Sequence, residues 1–154
     1  MDRVASLLER ERPLLDEIFG VGQYDIEDEH PDDAIVRSWE FTIEIGYDRN
    51  RNRSLGIAVI LHGMPDRLSV QQNGLETWAR FLGEDYPELP RDSQGIVTTS
   101  PEQQLRDELK LFARYKREIF SDPQTKRDAA FFADGYNRAY NDWASRKGSW
   151  SENF

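Results

Sequence analysis

Residues 35–62, IVRSWEFTIEIGYDRNRNRSLGIAVILH, decide the fold. Over 35–47, Ile35, Arg37, Trp39, Phe41, Ile43, Ile45 and Tyr47 alternate with Val36, Ser38, Glu40, Thr42, Glu44 and Gly46. Successive side chains of a strand point to opposite faces, so this period of two predicts one half-buried strand with its odd-numbered face toward a core. Leu55, Ile57, Val59 and Leu61 repeat the pattern, alternating with Gly56, Ala58, Ile60 and His62. The intervening YDRNRNRS is rich in turn formers, and an antiparallel hairpin with a long loop is the economical connection.

The segments after the hairpin mix short elements with one clear helical region. DRLSVQQ, residues 66–72, reads as a third short strand with Leu68 and Val70 inward, in preference to a helix start capped by Ser69, and is followed by a short helix carrying Leu75, Trp78, Ala79 and Leu82 and ended by Gly83. Residues 84–95 form a loop by their prolines and polar side chains, and 96–99 read as a fourth strand. Ser100, Pro101 and Gln103 then combine an N-cap, an N1 proline and a capping-box partner, which starts a helix with the stripe Leu105, Leu109, Phe112, Tyr115 and Ile119. Asp122 and Pro123 start another, with Ala129, Phe132, Ala133, Tyr136, Tyr140 and Trp143 at helical spacing.

Toward the N-terminus, Val4, Leu7, Leu8, Leu14, Leu15 and Ile18 make an amphipathic stripe that Pro13 interrupts, predicting a kink or a break near Arg12. Residues 23–33, QYDIEDEHPDD, hold six acids and no periodicity and read as an exposed loop. The expected fold is therefore α+β: a small antiparallel sheet built on the 35–62 hairpin, packed against a C-terminal antiparallel helix pair and an N-terminal helix. Burial of Trp39, Phe41, Ile43 and Ile45 is expected to stabilise it by roughly 1.5–3 kcal/mol per side chain. Trp39→Ala should accordingly cost on the order of 3–5 kcal/mol.

Length and charge narrow the function. The 154 residues suit a single domain, 1–154, with a tail at 148–154 that frays unless Trp150 or Phe154 docks. The absence of cysteine removes thiolate catalysis and cysteine-ligated zinc. No apolar run reaches the ~20 residues that cross a bilayer, and the charged N-terminus is unlike a secretory signal, so a cytoplasmic protein with no membrane partner is expected. The chain carries 29 acids against 20 bases, and residues 1–34 alone hold 11 against 3. An acidic chain argues against a nucleic-acid partner, which needs a cationic face.

Three patterns bear on chemistry. Residues 57–67, IAVILHGMPDR, resemble the strand and H-G-x-P turn of α/β-hydrolases, a resemblance that implies a nucleophile elbow; no serine here lies between two glycines at that spacing. The acidic stretch, with Asp25, Glu27, Asp28, Glu29, Asp32 and Asp33 beside His30, lacks the glycine and closing glutamate of a calcium loop and reads as a docking surface for a cationic partner. Arg49, Arg51 and Arg53 form the densest basic spot, suited to an acidic surface that includes this chain's own acidic stretch.

No catalytic residue, metal site or cofactor is assigned from these patterns. The expectation is a non-enzymatic protein-binding module whose acidic surface, with the Arg49–Arg51–Arg53 spot, docks a basic partner, as an inhibitor or immunity-type protein of a cationic toxin or nuclease would. Two alternatives stand beside it. One is a small enzyme using Glu40, Glu44, His62 or the acidic stretch with a divalent metal. The other is a structural or regulatory subunit that self-associates through Phe131, Tyr140, Trp143 or Trp150.

Overall fold

The computed structural model describes residues 2–64, 68 and 72–146. Five strands form one antiparallel sheet in the order of the chain: β1 (Tyr24–His30), β2 (Asp33–Ser38), β3 (Phe41–Tyr47), β4 (Leu55–Leu61) and β5 (Gln72–Gly74). The helices are α1 (Val4–Arg10), α2 (Arg12–Phe19), α3 (Leu75–Phe81), α4 (Pro101–Tyr115) and α5 (Pro123–Arg146), with a π-helical turn, Lys116–Phe120, closing α4. This is the expected α+β class.

The helix starts follow their local chemistry. Pro13 divides the N-terminal stripe as expected: α1 stops at Arg10 and α2 restarts at Arg12, placing the proline in the first turn, where its missing N–H costs nothing. Ser100 accepts the Gln103 N–H (3.2 Å), and Asp122 accepts the Thr125 N–H (2.9 Å), the two caps foreseen for α4 and α5.

The stretch 35–47 is two strands rather than one. Trp39 and Glu40 form a two-residue turn between β2 and β3, and the register Arg37↔Thr42, Val36↔Ile43 pairs even residues with odd ones. The buried face is therefore Ala34 and Val36 on β2 but Phe41, Ile43 and Ile45 on β3. Trp39, expected in the core, sits in the turn and is 86% exposed.

The turn is held from two sides. The Ser38 hydroxyl donates to the Phe41 carbonyl (2.9 Å) and accepts its N–H (3.2 Å). His62 donates its N–H to the Glu40 carbonyl (2.9 Å), and its Nδ1 lies 3.1 Å from the Trp39 carbonyl. A carbonyl only accepts, so the ring proton is on Nδ1, which leaves Nε2 to accept the Thr42 hydroxyl at 2.8 Å.

Two further expectations are corrected. Residues 24–30 of the acidic stretch are not loop but β1, paired to β2 from Tyr24↔Ser38 to His30↔Asp33 with an irregularity between Asp28 and His30. A strand that buries only one face and pairs along only one edge can carry acids, because the remaining face and edge stay in water. Residues 96–99 form no strand of the sheet; Val97 makes a single bridge to Arg91. Of the third strand expected at 66–72, Leu68 is buried and Gln72 begins β5, while the rest lies outside the described residues.

The helices cover one sheet face. Phe41 stacks edge-on against Phe112 (5.5 Å between centroids) and tilts on Phe120 (5.4 Å), which meets Trp78 edge-on (5.1 Å). Leu105, Leu109, Phe112, Tyr115 and Ile119, the foreseen stripe, are all buried there. α5 packs its first half on α3 and the π turn through Ala129, Ala130 and Ala133. Past Asp134 the described residues of the helix are exposed or half-buried, Tyr140 and Trp143 being exposed, so the second half of the 129–143 stripe is not core.

Candidate functional site

The β1 strand sorts the acidic stretch by parity. Tyr24 is buried and Ile26 half-buried, so the even positions up to Asp28 lie on the helix side. Asp28 follows them and accepts a two-pronged pair of hydrogen bonds from Arg3 (2.8 and 2.9 Å), which holds its carboxyl below the usual range. Asp32, in the turn between β1 and β2, is bound by Arg49 (2.8 Å). These two acids are spent on the protein's own arginines. Of the basic spot, Arg49 thus meets the chain's own acidic stretch, Arg51 is exposed, and Arg53 adopts a left-handed backbone (φ 58°) while its carbonyl accepts from Gln104 (3.0 Å).

The odd positions point the other way, onto the face that no described helix covers, and across the irregularity at Asp28–His30 Glu29 still borders that face. Asp25, Glu27 and Glu29 of β1 lie there with Asp33, Ile35 and Arg37 of β2 and Thr42, Glu44 and Gly46 of β3. Glu27 is taken by Arg37 (2.5 Å), a bond that lowers the carboxyl's titration and raises the guanidinium's. Asp33 lies 3.8 Å from His30 Nδ1, and Glu44 accepts a hydrogen bond from the Gln72 amide. Asp25 and Glu29 form no ion pair among the described residues. Among the described residues five carboxylates face one guanidinium there, so this part of the surface is negative even after internal pairing.

Chain geometry also shapes this face. Gly46 pairs with Gly56 across β3 and β4, and Gly74 opposes Ala58. The missing side chains leave a shallow groove of about 530 Å³ floored by Ile35, Gly46, Gly56 and Ala58 and rimmed by Glu29, Asp33 and Glu44. An apolar floor inside an acidic rim suits a long cationic side chain, whose methylene stem lies on the floor while its head meets a carboxylate.

Of the residues proposed for metal-assisted catalysis, Glu44 joins Glu29 and Asp33 at the groove, whereas Glu40 and His62 stand apart from them. Glu40 stands in the hairpin turn and Glu44 on the outer sheet face, while the ring of His62 is occupied by Thr42 and Trp39. Among the described residues, no group of three or more His, Asp or Glu side chains is arranged to hold a metal ion. No described helix is long and apolar enough to cross a membrane.

One polar site escaped the sequence reading. Gln104 and Glu108 occupy the buried side of α4, with relative exposures of 1% and 9%. Gln104 is fully used: it accepts the Leu55 N–H (2.7 Å) and donates to the Arg53 and Thr99 carbonyls (3.0 and 2.9 Å), clamping β4 to the start of α4. Glu108 accepts from the Tyr86 hydroxyl through Oε1, whereas its Oε2 is buried without a partner. Burial pushes its carboxyl up to about 7 despite the tyrosine bond, which acts the other way. The spacing 104, 108, 112, 115 was the available signal, since two polar residues stand in register with the apolar stripe.

Comparison with protein-family models, with curated proteins and with solved structures found no match to this chain.

Proposed function

We propose that the protein is a non-enzymatic binding module, acting in the cytoplasm, whose outer sheet face docks a basic protein surface. A small inhibitor or immunity-type protein covering a cationic toxin or nuclease is the concrete form. One observation carries this reading: no described helix covers the outer sheet face, and among the described residues that face holds Asp25, Glu27, Glu29, Asp33 and Glu44 against Arg37. Such a face steers a cationic partner from a distance and sets its register on contact.

The test compares two neutralised variants for capture of basic proteins at low and high salt. Asp25→Asn, Glu29→Gln, Asp33→Asn and Glu44→Gln together should abolish a salt-sensitive capture that Asp85→Asn with Glu102→Gln retains. Equal loss in both variants would reduce the effect to net charge and remove the face from the reading.

Self-association has its own supporting observation. Phe131, Tyr140 and Trp143 are 55%, 59% and 45% exposed on α5, and Tyr140 packs on Trp143 at 5.9 Å between centroids. Trp150 lies outside the described residues. A sedimentation coefficient that rises with concentration, and stops rising in Tyr140→Ser with Trp143→Ser, would support a role as an assembling subunit.

A further inference from the structure

Two clefts meet over Glu108. One, of about 670 Å³, lies between the first residues of β4 and the segment 86–91; the other, of about 650 Å³, lies between that segment and α4. Tyr86, Pro87 and Leu89 wall both, and Glu108 borders both. The first exists because β5 pairs only with residues 58–60 of β4, leaving 55–57 without a strand neighbour on that side.

The carboxyl at this junction is incompletely satisfied. Its Oε1 takes the Tyr86 hydroxyl, its Oε2 has no partner, and among the described residues no cation pairs with it. The neighbouring charge it feels is Asp107, of its own sign. Of the cations that line the clefts, Arg91 donates to the Gly95 carbonyl (2.8 Å), Arg114 binds Glu84 and Glu118, and Lys110 forms no ion pair with Glu108. A buried carboxyl in this state either keeps its proton or, when ionised, calls for a counter-ion or donor from outside.

From this geometry we propose that the Glu108 cleft binds an alkylammonium group. Its head meets the Glu108 carboxyl in competition with the Tyr86 phenol, and its alkyl stem lies along Pro87, Leu89 and Leu111. A guanidinium fits less well, because its two-pronged grip needs both carboxylate oxygens and Oε2 is buried; a point cation needs only Oε1. The same chemistry comes from a lysine side chain of a protein or from a free amine. This site does not depend on the acidic sheet face.

Nuclear magnetic resonance titration of the full chain with n-butylammonium, Nα-acetyl-lysine amide and n-butanol tests the proposal. Butylammonium should saturate with shifts centred on Tyr86, Leu89 and Glu108, and n-butanol should bind far more weakly. Glu108→Gln should weaken the cation by at least ~10-fold, as loss of a buried charge partner does. Tyr86→Phe should tighten it, since the competing donor is gone. The lysine derivative binding more tightly than butylammonium identifies a protein side chain as the source, and the reverse order identifies a free amine. No saturation, equal binding of n-butanol, an unaltered Glu108→Gln variant or weaker binding by Tyr86→Phe would each overturn it. The variant neutralised at Asp25, Glu29, Asp33 and Glu44 should bind butylammonium unchanged, which separates this site from the docking face.

Discussion

Glu108 sets a pH dependence opposite in sign to that of a paired surface acid. Its carboxyl titrates at about 7 in the folded chain against 4.5 when solvated, so between those values the folded state holds a proton that the unfolded state has released. Stability therefore falls as pH rises through this window and levels off above about 7, by on the order of 3 kcal/mol in total. Urea unfolding at pH 5 and pH 8.5 should show the wild type less stable at the higher pH. Glu108→Gln should remove most of that difference. Depressed carboxyls such as Asp122, which accepts the Thr125 N–H, act the other way, losing their contribution as pH falls through their lowered titration.

The tryptophans make the second contrast at this scale. Trp78 is 1% exposed against Phe120, and Trp39 is 86% exposed in a turn held by its backbone and by Ser38. Trp78→Ala should cost about 3–5 kcal/mol, whereas Trp39→Ala should stay within about 0.5 kcal/mol in the same denaturation series.

Among the elements, β1 departs most from its composition. Asp and Glu are poor strand formers, yet the ladder to β2 and the burial of Tyr24 suffice to order it, with Arg3 and Arg37 supplying counter-charges. Its other edge is unpaired in the sheet order, and carboxylates along such an edge repel a second strand. Asp25→Thr, Glu27→Thr and Glu29→Thr together raise strand propensity while removing that repulsion. Light scattering should then show concentration-dependent aggregates that the wild type does not form; a clear, monodisperse variant would mean the edge is guarded by something else.

The same elements mark what the sequence made legible. Caps and helical stripes were readable because Ser100, Asp122 and Leu105 to Ile119 act through local geometry. The β2–β3 turn was hidden because Ser38, Trp39, Glu40 and Phe41 include no glycine, proline or asparagine, and a two-residue turn preserves apparent alternation while switching its phase. The placement of Arg37 among the inward residues was the available warning. β1 was missed because composition outweighed pairing, and pairing is a long-range property. Of the candidate site, the acids themselves were legible, but their division into inward and outward sets depended on β1 being a strand.

At the scale of the whole molecule, order is distributed unevenly. The sheet and α4 share one aromatic core, whereas α5 is anchored through Ala129, Ala130 and Ala133 and then extends 12 residues beyond Asp134 to Arg146 with every residue exposed or half-buried. A helix segment of that length with little buried apolar surface is marginal in water, even with the Arg138–Asp134 and Arg146–Asp142 pairs at i,i+4 spacing. Amide hydrogen exchange should therefore show slow protection along 105–119 and the first turns of α5, with rapid exchange from about residue 137 onward. Raising the protein concentration discriminates what covers Tyr140 and Trp143. If protection of 137–146 grows with concentration, a second copy buries them; if it stays low while the sheet remains protected, the outer half of α5 is a solvated arm and self-association is not its purpose.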